Sequence, residues 1–338
     1  MHIIDYNKID DRNAQIDDCS LYRISHQYPR IRFHRNTMAT SSEDLRAFSY
    51  LVGIGVTHSI APPMHDYTAQ SLGFNWKFLA QECPTVDDAV SLFRKPTFAG
   101  GVVTMPYKST IMKHLDGLDE YALKIGACNN VYRAADGSLR GTNTDWRGIK
   151  GCLLSVPTEG NGKVALIIGA GGASRAALFA LHDQLGCNTI YIVNRDTSEY
   201  EMLSQDAQIY GDKLKLIHVQ TVQHAKDLQA PVYIVGTVPD FEPSNPAEIE
   251  VRDIVNQFLT SETKGLLLDM CFKPRRTRYI KLAEHHGWKT VEGTEIIGHQ
   301  VPEQYRLWCG EDSSRRIDMN MVWKVLRQAA DDSKAINF

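Results

Sequence analysis

Apolar residues along the chain come in short blocks, each running through a loop into a stretch with helical spacing. The first block, Tyr50-Leu51-Val52-Gly53-Ile54, predicts a strand followed by a helix over Met64 to Leu72. The pattern returns as a strand over Phe98 to Thr104 and a helix over Lys108 to Leu115, the grammar of a small α/β domain. A second series opens with Val164-Ala165-Leu166-Ile167-Ile168, apolar at every position and so expected to be buried on both faces. A helix over Arg175 to Gln184 follows. Strands are then predicted at Ile190 to Val193, Leu214 to Val219, Val232 to Val235, Gly265 to Asp269 and Lys289 to Val291. That order predicts a doubly wound parallel sheet. Met319, Met321, Val322, Val325 and Leu326 mark a last helix over Met319 to Ala330 that packs back on the first domain. Before Ser49 no apolar period is sustained, and the Gln15 to Asp18 run and the Tyr28-Pro29-Arg30 break predict little order. Met38, followed by Ala39 to Glu43, looks like an internal start, so residues 1–45 read as a disordered arm or a gene-model extension.

The junction between the strand ending at Ile168 and the helix after it is Gly169-Ala170-Gly171-Gly172-Ala173-Ser174. Glycines at this spacing mark ordinary turns elsewhere. Between a strand and a helix, backbone N–H groups and the helix N-terminus can hold a pyrophosphate, which makes this loop a dinucleotide site. Thr237, after the strand over Val232 to Val235, joins the expected cofactor contacts. The end of the next strand decides the ribose, since a carboxylate there suits the 2′-hydroxyl of NAD and an arginine the 2′-phosphate of NADP. Asn194 and Arg195 favour NADP, while Asp196 and Glu199 oppose a phosphate dianion or merely begin a solvated helix. The balance tips toward NAD, or toward use of both.

A chain of 338 residues, 43% hydrophobic and 23% charged, is long enough for two globular domains. Its formal net charge of −3 offers no basic surplus for nucleic acid or an anionic membrane surface, which leaves a small molecule or another protein as partner. The seven cysteines are odd in number and never spaced as CxxC, which argues against a disulfide framework or a zinc site and for a reducing compartment. No apolar run approaches the roughly 18 residues of a membrane span and no signal peptide is evident, so the cytosol is the expected location. His65 reads as a loop or cap residue, the histidines form no ligand cluster, and no metal is expected. Nothing in the sequence specifies an oligomeric state.

Four further segments are rich in small hydroxyl, amide and ionic residues: His58 to His65, Val103 to Lys108, Gly126-Ala127-Cys128-Asn129-Asn130, and Gly141-Thr142-Asn143-Thr144-Asp145. Together with the glycine loop, and in this order over about residues 50 to 310, they resemble the shikimate/quinate dehydrogenase family, most of all its fungal members. The resemblance implies an N-terminal α/β substrate-binding domain (46–145 plus 294–332), a Rossmann domain (146–293) and C-terminal helices returning to the first domain. It implies NAD(P)-dependent oxidation of a ring hydroxyl of quinate or shikimate. By the same resemblance Lys108 is the catalytic lysine and Asp145 its partner. Ser59 matches the residue that binds the substrate carboxylate, Asn129 and Thr104 those that hold ring hydroxyls, and Gln300 a substrate-contacting glutamine.

Ala61 departs from the family by replacing a serine, Val102 an asparagine, Thr142 an aspartate and Phe272 a tyrosine. These changes remove polar groups expected to face substrate, and Ala61 is expected to give room beside the carboxylate-bearing carbon. Taken singly, Lys108 and Asp145 would read as a surface lysine and a helix cap; alcohol oxidation needs a base within reach of the departing hydroxyl proton, and the pair supplies one. Trp146 reads as packing at the domain junction or as a wall of the nicotinamide pocket. Two other readings stay open: a non-catalytic sensor of the same metabolites, and a dehydrogenase of a related cyclic polyol acid.

Overall fold

The computed structural model describes residues 46–156 and 163–338, so the expectations for residues 1–45 lie outside it. Its first six strands are β1 (Ala47–Gly53), β2 (Trp76–Glu82), β3 (Phe98–Val103), β4 (Gly117–Leu118), β5 (Asn130–Arg133) and β6 (Leu139–Thr142). They form one sheet in the order β2-β1-β3-β5-β6-β4. β1 lies parallel to β2 and β3, while β5 runs antiparallel to β3 and β6. Helices α1 (Ala61–Ser71), α2 (Val86–Phe93) and α3 (Glu120–Ile125) connect them. α1 begins three residues earlier than its apolar spacing predicts, because prolines in a first turn bring the right φ and lack only an N–H that has no helical partner. The helix expected over Lys108 to Leu115 is reduced to a 3₁₀ turn, Thr110–His114.

After α4 (Asp145–Leu154), strands β7 (Val164–Ile168), β8 (Thr189–Val193), β9 (Lys215–His218), β10 (Tyr233–Gly236), β11 (Leu266–Asp269) and β12 (Lys289–Glu292) form the second sheet. All its pairs are parallel and the order is β12-β11-β10-β7-β8-β9, a Rossmann arrangement whose direction reverses between β7 and β10. Its helices are α5 (Gly172–Phe179), continued by a π turn over Ala180–Gln184, then α6 (Thr197–Asp206), α7 (Val222–Lys226), α8 (Pro246–Leu259) and α9 (Arg278–His285). Both faces of β7 are buried, Ala165 and Ile167 in one apolar cluster and Val164, Leu166 and Ile168 in the other. This is why its sequence is apolar throughout.

The chain then returns to the first sheet through α10 (Thr294–Cys309), α11 (Glu311–Ser314) and α12 (Met319–Asp332). Val301, Tyr305, Val322, Leu326, Ala330 and Ile336 pack against Ile60, Met64, Ala69 and Leu72 around α1. His65 is not the loop or cap residue expected: the prolines start the helix before it. It lies inside α1, 2% exposed, stacked on Phe78 at 4.1 Å, and burial pushes its pKa down to about 3. α10 also crosses α4 closely. A Cβ on Gly148 would lie 2.5 Å from Ile296 Cγ2, so only glycine lets α10 come near enough for Gln300 to reach the end of the first sheet. Among the described residues no helix is long and apolar enough to cross a membrane.

Candidate active site

Three segments meet at one edge of the first sheet. Thr104 follows β3, and its carbonyl accepts from Tyr107 N–H at 3.0 Å, turning the chain so that Lys108 projects beyond the sheet. The Cys128 N–H donates to the Lys108 carbonyl (2.7 Å), and Asn129 joins its two neighbours: its N–H donates to the Thr142 carbonyl (3.1 Å) and its carbonyl accepts from Val103 (2.8 Å). β6 then runs through Asn143 and Thr144 into α4, whose first residue is Asp145. Asn143 Oδ1 accepts from the Asp145 N–H at 3.0 Å, and Asn143 Nδ2 donates to the Ala127 carbonyl at 2.9 Å, which fixes the turn.

Lys108 Nζ and Asp145 Oδ2 are 2.6 Å apart, with side chains 16% and 6% exposed. Asp145 Oδ1 accepts from Asn129 Nδ2 at 2.8 Å. Asn129 Nδ2 also donates to Gln300 Oε1 at 2.9 Å, and that oxygen accepts from Thr144 Oγ1 at 2.6 Å. Asn129 Oδ1 takes the Thr144 N–H at 2.6 Å. Both amide protons of Asn129 and its carbonyl are thus committed within the protein. Asn129, expected to hold a ring hydroxyl, here bridges Asp145 and Gln300. Because Gln300 Oε1 receives two donors, within this network its Nε2 protons and Lys108 Nζ remain to donate to a ligand. Thr144, a member of this network, was not singled out from the sequence, although it lies beside Asp145.

Ser59 and Ala61 take no part in these hydrogen bonds. They open α1, where Ser59 Oγ accepts from the Ala61 N–H at 3.3 Å. Ser59 lines a cavity of about 530 Å³ against Met321, Lys324, Val325 and Gln328 of α12. His58 beside it faces Phe272, ring centroids 5.5 Å apart. Thr142 gives its hydroxyl to Asp119, the cap of α3. Trp146 is buried against Phe179 and Tyr121, as its packing reading expects.

The glycine loop stands across from Lys108: a Cβ on Gly172 would lie 3.6 Å from Lys108 Cβ and 3.8 Å from Ala127 Cβ. Gly169 has φ +113°, and a Cβ there would meet Thr237 Oγ1 at 2.5 Å. Thr237 Oγ1 donates to the Ile168 carbonyl and accepts from Ser174 Oγ, both at 2.7 Å, tying the ends of β7 and β10 to the start of α5. The Ala170 carbonyl accepts from Arg175 at 3.1 Å, and Ala173 lies in the first turn of α5. At Gly171 a Cβ would meet nothing within 4 Å. These residues fit a dinucleotide: backbone N–H groups at the first turn of α5, and open space over Gly171 for a pyrophosphate.

At the ribose end of the loop the two acids begin a solvated helix, one of the two readings the sequence left open. Asp196 caps α6, its Oδ1 accepting from the Ser198 N–H (2.8 Å) and hydroxyl (2.7 Å). Glu199 Oε2 accepts from Asn194 Nδ2 at 2.9 Å. Arg195 pairs with Glu248 of α8, a residue the sequence flags only as the third residue after a capping asparagine. Among the described residues no group of three or more His, Cys, Asp or Glu side chains could hold a metal ion.

A model of the shikimate dehydrogenase substrate binding domain matches residues 51–131. A quinate dehydrogenase of Emericella nidulans is 37% identical over 298 residues, 81% of this chain and 91% of its own length. A pentafunctional AROM polypeptide of Kluyveromyces lactis is 34% identical over 77% of this chain, a match that takes up 17% of that longer protein. The solved shikimate 5-dehydrogenase of Thermus thermophilus, in complex with NADP(H) and shikimate, superposes with a TM-score of 0.66 at 26% identity, covering 84% of this chain and 99% of that one.

Proposed function

As the chain belongs to the shikimate/quinate dehydrogenase family, we propose that it oxidises a ring hydroxyl of quinate or shikimate with a nicotinamide cofactor, giving the 3-dehydro acid. The observation that carries this reading is the part-buried Lys108–Asp145 pair facing the glycine loop. When bound, the nicotinamide supplies the hydride acceptor. Lys108 Nζ takes the hydroxyl proton in oxidation and returns it in reduction, a role worth about 10²- to 10⁴-fold for a positioned group. Asp145 Oδ2 holds Lys108, and Asn129 holds Asp145 in turn. Gln300 Nε2 and Thr104 orient the ring, and Ser59 takes the carboxylate, with Ala61 leaving room beside it.

Residues 46–145 with 294–332 carry the substrate, and 146–293 the nucleotide. NAD is preferred to NADP, since Arg195 is already ion-paired and Asp196 and Glu199 lie beside it. The intact pair and loop favour catalysis over a sensor role. Absorbance of the reduced nicotinamide, followed with quinate and with shikimate and with each nucleotide, tests the proposal. No turnover of either acid with either nucleotide would refute it.

A further inference from the structure

Arg195 follows β8 at the place where a Rossmann fold distinguishes its nucleotides. Its Nη1 is held by Glu248 Oε1, from the first turn of α8 and 53 residues further along the chain. Glu248 is itself anchored. Its Oε2 accepts from the Ser244 N–H at 2.9 Å and the Ser244 hydroxyl at 3.1 Å, while its own N–H donates to the capping Asn245 Oδ1 at 3.0 Å. The hydrogen bonds from Ser244, with Arg195 and Asn245, hold the Glu248 carboxyl down at about 2, so it is ionised at any working pH. Asp196 and Glu199, the acids that sequence reading would credit with nucleotide choice, are hydrogen-bonded to Ser198 and Asn194 instead. The Arg195 guanidinium lies within electrostatic reach of Asp196, and the carboxylate bonded to it is Glu248.

We propose that Glu248 is the specificity-determining residue for the adenosine ribose: it keeps the Arg195 guanidinium from a 2′-phosphate and fixes a negative charge beside it, so that the site takes NAD over NADP. This rests on the dehydrogenase reading above and assigns its nucleotide choice to a residue outside the β8 loop. An exposed ion pair is easily broken. The discrimination arises because a 2′-phosphate must compete with a carboxylate that the Ser244 N–H and hydroxyl hold in place at a helix start, and must then sit next to it.

The test is calorimetric titration of the full chain with NAD and with NADP. Glu248→Gln keeps an acceptor for Ser244 and removes the charge. NADP should then bind about ten-fold tighter, equivalent to ~1.4 kcal/mol, with a much smaller change for NAD. Adding Arg195→Gln should abolish the gain. Ser244→Ala, which removes one anchoring bond and keeps the charge, should leave the NADP/NAD ratio near that of the parent protein. An unmoved ratio in Glu248→Gln, or a gain that survives the loss of Arg195, would overturn the proposal. Binding of neither nucleotide by the parent protein would overturn it together with the dehydrogenase reading. The titration decides the role of Glu248 whether or not quinate or shikimate is turned over, a result that bears on the function alone.

Discussion

Two glycines of one loop should separate nucleotide binding from folding. Gly171 has φ −82° and ψ −164°, an extended conformation open to any residue, and a Cβ there meets nothing within 4 Å. In Gly171→Val the poorer N-cap costs about 1 kcal/mol, and the stiffer unfolded chain returns about 0.4–1 kcal/mol. The net change in stability is within ~1 kcal/mol, a shift in Tm of at most about 4 °C. Binding should suffer far more, because the side chain fills the space over which the pyrophosphate must approach the backbone. Losing two hydrogen bonds to a charged group, at about 1.5–3 kcal/mol each, weakens affinity by roughly 10²- to 10⁴-fold. Gly169→Ala should do the reverse of this in emphasis. At φ +113° its Cβ would meet Thr237 Oγ1 at 2.5 Å and Val238 Cγ1 at 2.8 Å, costing about 1–3 kcal/mol in backbone strain alone. Thermal unfolding and calorimetric titration with NAD, done on both variants, provide the assay. A Gly171→Val protein that binds NAD normally, or that melts below Gly169→Ala, would refute the reasoning.

Lys108→Ala should lose at least about 10²-fold in kcat with little change in substrate affinity, and near-normal turnover would remove Lys108 from proton transfer. Ala61→Ser should shift the quinate/shikimate ratio of kcat/KM toward shikimate by on the order of ten-fold, the size of one hydrogen bond plus a mild clash; an unchanged ratio would leave Ala61 as packing only. Asp269 is buried beneath the end of the second sheet, and desolvation raises its pKa from 3.8 to about 7 against the hydrogen bonds from Thr277 and Cys271. Between those values the folded protein holds a proton that the unfolded chain has released, so this group lowers stability as pH rises toward 7 and adds no slope above it. Asp269→Asn should therefore gain on the parent protein as pH rises from 5 to 8 in denaturant titrations, and a pH-independent difference would show that the carboxyl does not titrate there.

How much the sequence revealed depended on how many surroundings each residue had to satisfy. β7, β8, β10 and β11 were legible because both faces of their sheet are buried, which leaves unbroken apolar runs. β2, with Lys77, Gln81 and Glu82 along a half-exposed edge, and the four-residue β5 and β6 carry no such run and were missed. In the site, the glycine loop was readable from local chemistry, and Lys108 and Asp145 from resemblance. The contacts that orient them were not. Asn129 meets Gln300 across 171 residues and Arg195 meets Glu248 across 53, and no local periodicity records partners chosen by the packing of separate helices.

The return of α10 and α12 to α1 also sets an order of assembly. Val322, Leu326 and Ala330 close the apolar layer over Ile60 and Met64, yet the whole second sheet lies between them in the chain. Roughly 250 residues separate α1 from α12, which at about 5–20 residues per second is ~12–50 s of synthesis. During that time the apolar face of α1 lacks its cover from α12, whereas the face of the first sheet toward α2 is already closed by Ala89 and Phe93. The apolar face of α1 then waits exposed to chaperones until the last helices emerge.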